Sequence, residues 1–210
     1  MLKYLFFYFF IKPIILIGLG LNIRNYQHFP KQGPAIIVAN HNSHLDTLVL
    51  MTLAPGKLLG KMRPVAAMDY FCRNRFFSWL SQNFLGIVPI KRKRTKEGED
   101  LLQPCYEALE KKQILILYPE GTRGKPEEMA EFKSGIARLV ENYSHVPVHP
   151  VYMHGLGKTL PKGSCLPVPF FCDVFVGEKI MWNGEKQIFL NSIRKSIDNL
   201  KKQGNFPIWK

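Results

Sequence analysis

A histidine and an aspartate lie five residues apart, directly after a short apolar run. They follow Ala35–Ala39 in the segment Asn40-His41-Asn42-Ser43-His44-Leu45-Asp46. A neutral imidazole is the best general base near pH 7, and a carboxylate on its other nitrogen fixes the tautomer and stabilises the imidazolium. With His41 in the turn before a helix, its ring can fold over the first helical turn and meet Asp46. The spacing therefore predicts a proton-transfer pair.

Two other interpretations fit the same residues. Ser43-x-x-Asp46 is also the pattern of a helix capping box, in which Asp46 would only stabilise the helix start. A metal site would have to use His41, His44 and Asp46, and the sequence places no further ligand beside them. We therefore expect no bound metal, and the residue types leave both proton transfer and capping open.

A second candidate segment follows the apolar run Ile114–Tyr118 and contains Tyr118-Pro119-Glu120-Gly121-Thr122-Arg123-Gly124. Ligands of α/β sheets bind where strands end. The two glycines allow the backbone to approach a ligand closely, and Arg123 offers a planar fork for phosphate or carboxylate. Lys133 lies at the start of the next predicted helix, where an anion is favoured. An ordinary exposed turn is the alternative.

A third segment, Gly86–Ile90, leads into the basic run Lys91-Arg92-Lys93-Arg94. Such a run usually lies in solvent or faces a membrane. A single arginine at the end of a strand can equally hold a phosphate.

The charge of the chain is uneven. Residues 1–96 contain 14 of the 29 basic residues but 2 of the 16 acidic ones, so the net charge of +13 lies almost entirely in this half. A basic half is typical of proteins that bind nucleic acid, an anionic membrane or a phosphorylated substrate. Because no aromatic–basic repeat, zinc-ligand spacing or recognition-helix pattern is present, we expect no nucleic-acid partner.

The apolar N-terminal segment indicates that the protein is attached to a membrane. Residues 4–21 carry one charge, Lys12, which is followed by Pro13. As a straight helix they would be about 27 Å long, slightly shorter than a hydrocarbon core of about 30 Å. The charge and the proline favour two short arms embedded in one leaflet over a transmembrane helix. We predict a membrane-anchoring segment over 1–24 and a single domain over 25–210.

Composition is otherwise that of a globular protein. Hydrophobic residues make up 46% and charged residues 21%, which excludes disorder, collagen and coiled coil. The cysteines form no CxxC pair, so we expect reduced thiols and a cytosolic setting: Cys72, Cys105, Cys165 and Cys172.

Apolar runs and helical periodicity alternate along the chain, which predicts an α/β domain whose mostly parallel or mixed sheet is covered by helices. The predicted strands are Ala35–Ala39, Val65–Met68, Ile87–Ile90, Ile114–Tyr118, Val146–Met153 and Asp173–Val176. The predicted helices are Leu45–Leu53, Tyr70–Asn83 with Asp69 as its cap, Gly98–Lys112, Phe132–Tyr143 and Lys186–Lys202. Gly155–Pro169 is predicted to be a loop.

In this order and spacing, the segments resemble the glycerolipid acyltransferase family, which contains 1-acylglycerol-3-phosphate acyltransferase. Four blocks over residues 40–151 carry the resemblance: Asn40-His41…Asp46, Gly86…Ile90-Lys91-Arg92, Tyr118-Pro119-Glu120-Gly121-Thr122-Arg123 and Val146-Pro147-Val148-His149-Pro150-Val151. Departures from the family pattern are Pro89 and Tyr118 in place of Phe, Lys91 in place of an acidic residue, and Gly124 in place of Ser.

The resemblance implies an O-acyltransferase of phospholipid biosynthesis that makes phosphatidic acid from acyl-CoA or acyl carrier protein, with no other cofactor. His41 would be the general base and Asp46 its partner. Arg92, Arg123 and Lys133 would bind the acceptor phosphate, and Glu120, Gly121 and Thr122 the rest of the acceptor. The acceptor could also be glycerol-3-phosphate or another lysophospholipid. Outside this class, a non-catalytic lipid-binding protein is the alternative. Membrane lipids would be partners, with the catalytic domain on the cytoplasmic face.

Overall fold

Near-continuous apolar runs form the strands, because a strand covered on both faces of a sheet has to be apolar throughout. The computed structural model describes residues 4–5, 7–43, 45–68, 84–124, 128–159 and 171–206. Within these residues seven strands form one sheet. They are β1 (Leu21–Arg24), β2 (Ala35–Ala39), β3 (Met62–Ala67), β4 (Val88–Ile90), β5 (Ile114–Leu117), β6 (Val148–His154) and β7 (Cys172–Val176).

The strand order is β1-β7-β6-β2-β5-β3-β4. β2 is parallel to β5 and β6, and β3 is parallel to β5 and β4. β7 is antiparallel to β6, and β1 is parallel to β7. The carboxyl ends of β2 to β6 therefore meet at one edge of the sheet, and the first three candidate segments follow these ends.

Helices cover both faces of this mixed sheet. They are α1 (Lys12–Gly18), α2 (Asp46–Leu53), α3 (Gln103–Glu110), α4 (Gly135–Asn142), α5 (Leu156–Thr159) and α6 (Lys186–Gln203), with 3₁₀ turns at Tyr26–His28 and Gly56–Lys61. One core lies against α1 and α2, and the other lies against α3, α4 and α6. The prediction of a single α/β domain with a covered mixed sheet is confirmed.

The N-terminal segment has one side on the protein and the other exposed. A π-helical turn (Phe7–Ile11) continues into α1, and Phe7, Ile15 and Leu19 are buried in the core beside α2. We call the exposed apolar residues of this segment the N-terminal apolar face: Tyr4, Leu5, Phe9, Phe10, Ile14, Leu16 and Ile17. Among the described residues, no helix is both long and apolar enough to cross a bilayer.

Several element boundaries differ from those that the sequence predicts. Residues 21–24, which the sequence assigns to the anchoring segment, form β1 and pair with β7. α3 begins at Gln103 instead of Gly98, because Pro104 fits the first turn of a helix but not its interior. The predicted loop after β6 begins with α5. The predicted helix over 70–83 lies outside the described residues.

Candidate active site

His41 and Asp46 are in contact at the carboxyl end of β2. Nδ1 of His41 lies 2.9 Å from Oδ2 of Asp46, and the same oxygen accepts hydrogen bonds from the backbone N–H groups of Asn42 at 2.8 Å and Ser43 at 2.9 Å. An ionised carboxylate only accepts hydrogen bonds, so Nδ1 donates and Nε2 is the nitrogen that takes up a proton. The Asp46 side chain is 1% exposed and that of His41 20%, so the imidazole is reachable from solvent while the carboxylate is buried.

The capping box is present in one of its two bonds only. The Ser43 N–H donates to Asp46, but Oγ of Ser43 accepts from the N–H of Leu45 at 3.2 Å, and α2 begins at Asp46 with Leu45 as its N-cap and without a side-chain cap. Asp46 therefore holds the turn that precedes α2 and contacts the ring of His41 with the same oxygen atom.

Tyr118, directly after β5, supports the ring of His41. The two rings stack with centroids 4.0 Å apart and an angle of 16° between their planes. The Tyr118 hydroxyl and Oγ1 of Thr47 are 2.9 Å apart, which ties the ring to α2. Burial, with the charge of Asp46 adding to it, raises the pKa of Tyr118 well above its ordinary value, so the phenol stays protonated. The roles of Tyr118 and Thr47 are not apparent from the sequence, since both depend on β2 and β5 being neighbours.

Glu120 joins the turn after β2 to the loop after β5. Its Oε1 accepts the backbone N–H of His41 and its Oε2 that of Ala130, both at 2.9 Å, and the residue is 3% exposed. The N–H of Gly124 in turn donates to the carbonyl of His41 at 2.9 Å. Burial raises the pKa of Glu120, and the two N–H donors oppose this shift. The structure thus directs this carboxylate at the backbone that carries His41.

The loop after β5 has the ammonium group of Lys133 packed against Gly121, next to Glu120. Gly121 has φ +72°, and a Cβ there would lie 2.7 Å from Nζ of Lys133, so a side chain would have to displace the ammonium group. The backbone N–H of Lys133 donates to the carbonyl of Pro119 at 2.9 Å. Thr122 is exposed and Arg123 is half-buried in the same loop. The structure therefore brings His41, Asp46, Glu120, Gly121 and Lys133 together, with Thr122 and Arg123 adjacent.

Arg92 lies apart from this group. It follows β4, three strands from β2, which corresponds to about 14 Å along the sheet edge, and its side chain is exposed. Its neighbour Lys91 forms an ion pair with Glu99, which also accepts the N–H and Oγ1–H of Thr95, each at 2.8 Å. Lys91, together with Thr95, lowers the pKa of Glu99 from 4.5 to about 2. The basic run therefore lies in a turn that the carboxylate of Glu99 closes by binding Lys91 and Thr95.

Asn40 fixes the point where β2 ends. Its Nδ2 donates to the carbonyl of Met153, and its Oδ1 accepts the N–H of Met153, both at 2.8 Å. The side chain so continues the pairing of β2 with β6 by one step and places His41 in the turn. Within the described part of the chain, no group of three or more His, Cys, Asp or Glu could hold a metal ion, and His44 lies outside that part.

Comparison with known proteins shows which family this chain belongs to. The model of the Acyltransferase family matches residues 20–154, and the chain belongs to this family. The resemblance of the four sequence blocks is thereby confirmed.

Two named relatives and one solved structure are similar. The chain is 32% identical over 145 residues to the chloroplastic 1-acyl-sn-glycerol-3-phosphate acyltransferase of Arabidopsis thaliana (69% of this chain, 38% of that one). It is 30% identical over 141 residues to 1-acyl-sn-glycerol-3-phosphate acyltransferase alpha of Homo sapiens (66% of this chain, 47% of that one). The aligned region spans less than half the length of these relatives. The crystal structure of the 1-acyl-sn-glycerophosphate (LPA) acyltransferase PlsC from Thermotoga maritima matches with a TM-score of 0.75 at 18% identity, covering 97% of this chain and 83% of that one.

Proposed function

We propose that this protein transfers a fatty acyl group from an acyl thioester to the free hydroxyl of 1-acylglycerol-3-phosphate, giving phosphatidic acid in phospholipid biosynthesis. The observation that carries the proposal is the contact of 2.9 Å between a reachable His41 and a buried Asp46. The family membership and the names of the relatives support the choice of acceptor.

In the proposed reaction, Nε2 of His41 takes the proton from the acceptor hydroxyl while that oxygen attacks the thioester carbonyl. The bond between carbonyl carbon and sulfur then breaks, and the imidazolium returns its proton to the leaving thiolate. The acyl group passes directly from donor to acceptor, so no covalent enzyme intermediate forms. Acyl-CoA or acyl carrier protein supplies the acyl group, and the residues act without a further cofactor.

We propose that cationic side chains at the same sheet edge bind the phosphate of the acceptor. Lys133 lies against Gly121, next to the loop that binds the backbone of His41. Arg123 in that loop and Arg92 beyond β4 add planar guanidinium groups, which suit phosphate.

We also propose that the protein docks on a membrane through the N-terminal apolar face, with the catalytic domain on the cytoplasmic side. Single apolar residues are common on protein surfaces, but a cluster of this size is unusual for a side that faces water only. The basic first half of the chain would be attracted to anionic lipids.

An acyl-transfer assay on purified full chain tests the function. Lysophosphatidic acid, glycerol-3-phosphate and a lysophospholipid without a terminal phosphate are offered as acceptors, each with acyl-CoA and with acyl carrier protein as donor. We expect transfer to lysophosphatidic acid, and a kcat for His41→Ala at least ~10²-fold lower than for wild type.

The control is His145→Ala, which removes an exposed histidine before β6 and should retain the wild-type rate. Circular dichroism and thermal unfolding establish that both variants fold. A wild-type rate in His41→Ala would contradict the proposed mechanism. Lipid binding by wild type without transfer to any acceptor would favour the non-catalytic alternative.

A further inference from the structure

We propose that Arg194, on the last helix α6, is a positioning residue that holds the backbone of His41 in place through Glu120. The inference rests on the proposed function, because it assigns Arg194 a part in the same reaction. Arg194 lies 40 residues beyond residue 154, where the match to the family model ends.

The guanidinium of Arg194 holds the loop that precedes α4. Nη1 donates to the carbonyl of Ala130 at 2.8 Å, and Nη2 lies 3.5 Å from the carbonyl of Met129. Cζ is 5.3 Å from the ring centre of Phe132, and Nε is 3.4 Å from Oδ2 of Asp198. The planar fork of arginine can serve two neighbouring acceptors at once, whereas the single ammonium group of lysine is a point charge. The loop is therefore fastened to α6 at two successive carbonyls.

The same loop supplies a donor to Glu120. The carbonyl of Met129 and the N–H of Ala130 belong to one peptide unit, which is planar and rigid. The carbonyl end of this unit is near Arg194, and its N–H donates to Oε2 of Glu120 at 2.9 Å. A cation at the carbonyl also polarises the unit and strengthens the N–H as a donor. Arg194 thus orients the donor that Oε2 needs.

Glu120 passes this constraint to His41. The carboxylate is 3% exposed, so both of its oxygens need hydrogen-bond donors, and Oε1 takes the N–H of His41 at 2.9 Å. If the Ala130 donor moves, the carboxylate turns or takes up water, and its hold on the backbone of His41 weakens. The ring of His41 then loses its fixed position between Asp46 and the acceptor hydroxyl.

Steady-state kinetics of Arg194→Met on the full chain tests the proposal. Methionine keeps an apolar side chain against Phe132 but has no N–H donors. We expect kcat to fall about tenfold, since a 1 Å displacement of a reacting group can cost ~10²-fold, while KM for lysophosphatidic acid changes less than about twofold. Arg194→Lys should lie between wild type and Arg194→Met. The control Lys195→Met removes an exposed cation from the adjacent position and should match wild type.

A double-mutant cycle separates positioning from simple stabilisation of α6. In a Glu120→Gln background the carboxylate that links Ala130 to His41 is already absent. We therefore expect Arg194→Met to lower kcat by no more than about twofold further. Amide hydrogen exchange of Arg194→Met should rise at residues 128–131 and 40–43 and stay unchanged in β2 and β5. A wild-type kcat in Arg194→Met, a full tenfold loss in both backgrounds, or an equal rise of exchange throughout the sheet would each overturn the proposal. If Arg194→Met does not fold, Arg194→Lys is measured in the same cycle and a wild-type kcat overturns it.

His41→Ala, measured alongside, keeps this test distinct from that of the proposed function. Activity in His41→Ala would refute the proposed mechanism. An inactive His41→Ala together with a fully active Arg194→Met would refute the role of Arg194 alone.

Discussion

One carboxylate oxygen of Asp46 serves both the start of α2 and the ring of His41. The two backbone donors, Asn42 and Ser43, hold the carboxylate still, and this fixed carboxylate in turn orients the imidazole. The ring of Tyr118 stacks on the ring of His41 and so limits the rotation of His41 about its side-chain bonds. The imidazole of His41 is therefore held in one position by its protein neighbours.

Asp46→Asn should lower both rate and stability. The amide carries no charge to stabilise the imidazolium, so we expect kcat to fall at least ~10²-fold. Loss of the charge-assisted hydrogen bonds to the turn before α2 should lower the free energy of unfolding by roughly 1–3 kcal/mol. Ser43→Ala is the control, because it removes the Oγ that accepts the N–H of Leu45 but keeps the backbone N–H that donates to Asp46, and it should keep kcat. Steady-state kinetics and urea unfolding measure both effects, and a loss of stability with an unchanged rate would give Asp46 a structural role only.

At the scale of elements, the turn after β4 shows how the basic run is organised. Lys91, which departs from the acidic residue of the family pattern, is paired with Glu99. Glu99 also holds Thr95, so one carboxylate closes a turn that presents Arg92, Lys93 and Arg94 at the sheet edge. The departure at Lys91 is thereby balanced by an opposite charge eight residues along the chain.

Arg92→Lys should raise KM for a phosphate-bearing acceptor, since a bidentate contact with phosphate needs the planar guanidinium. Lys93→Ala and Arg94→Ala should change mainly membrane partitioning and its salt dependence, with about 1 kcal/mol for each charge near an anionic surface. KM of the three variants on one soluble short-chain acceptor separates the effects, because partitioning is then absent. Equal, small changes in all three would contradict a specific role for Arg92.

The Glu99 ion pair should make the turn sensitive to acid. The folded pKa of Glu99 is about 2 against an ordinary value of 4.5, so its contribution to stability is full above about pH 4.5 and is lost as pH falls through about 2. We therefore expect wild type to be more stable than Glu99→Gln at neutral pH and the two to converge as pH falls from 4.5 toward 2. Thermal unfolding of both proteins over this range measures the difference. A difference that stays constant with pH would contradict the assignment.

At the scale of the whole molecule, the N-terminal segment is both a part of the core and a surface. Phe7, Ile15 and Leu19 pack inside, β1 adds a strand to the sheet, and the N-terminal apolar face points outward. Deleting residues 1–21 would expose the core and remove the start of β1. Substitutions confined to the exposed side are therefore the sharper test of membrane docking.

The triple variant Phe9→Ser, Ile14→Ser, Ile17→Ser should bind membranes more weakly than wild type while remaining folded. These residues are 70%, 65% and 83% exposed, so their replacement costs the fold little. Inserting such side chains into lipid is worth roughly 1.5–3 kcal/mol each, so we expect binding to vesicles to fall at least tenfold. Vesicle sedimentation at high salt measures this, with Met181→Ser, Ile188→Ser as the control for exposed apolar residues elsewhere. Unchanged sedimentation of the triple variant would place the docking surface elsewhere.

Features that depend on near neighbours in the chain were determined by the sequence alone. β2 has the predicted bounds, because an apolar run of five residues between turn residues is too short for a buried helix and fits a strand covered on both faces. The buried face of α6 follows from helical periodicity, because its four buried residues are spaced three or four positions apart: Phe189, Ile193, Ile197 and Leu200. His41 and Asp46 meet because five residues across a turn are enough to bring them together.

Tertiary structure alone decided the features that join distant parts of the chain. β1 pairs with β7 about 150 residues away, Asn40 bonds to Met153, and Glu120 bonds to the backbone of His41. Such contacts have no period or spacing in the sequence, because they depend on which strands become neighbours and on the loops that follow them. Lys133 and Glu120 come together only after the sheet has placed their loops at one edge, and Arg194 contacts one of these loops from α6. Local spacing could therefore identify the contact between His41 and Asp46, but the residues that hold this pair in place emerge only from the order of the strands.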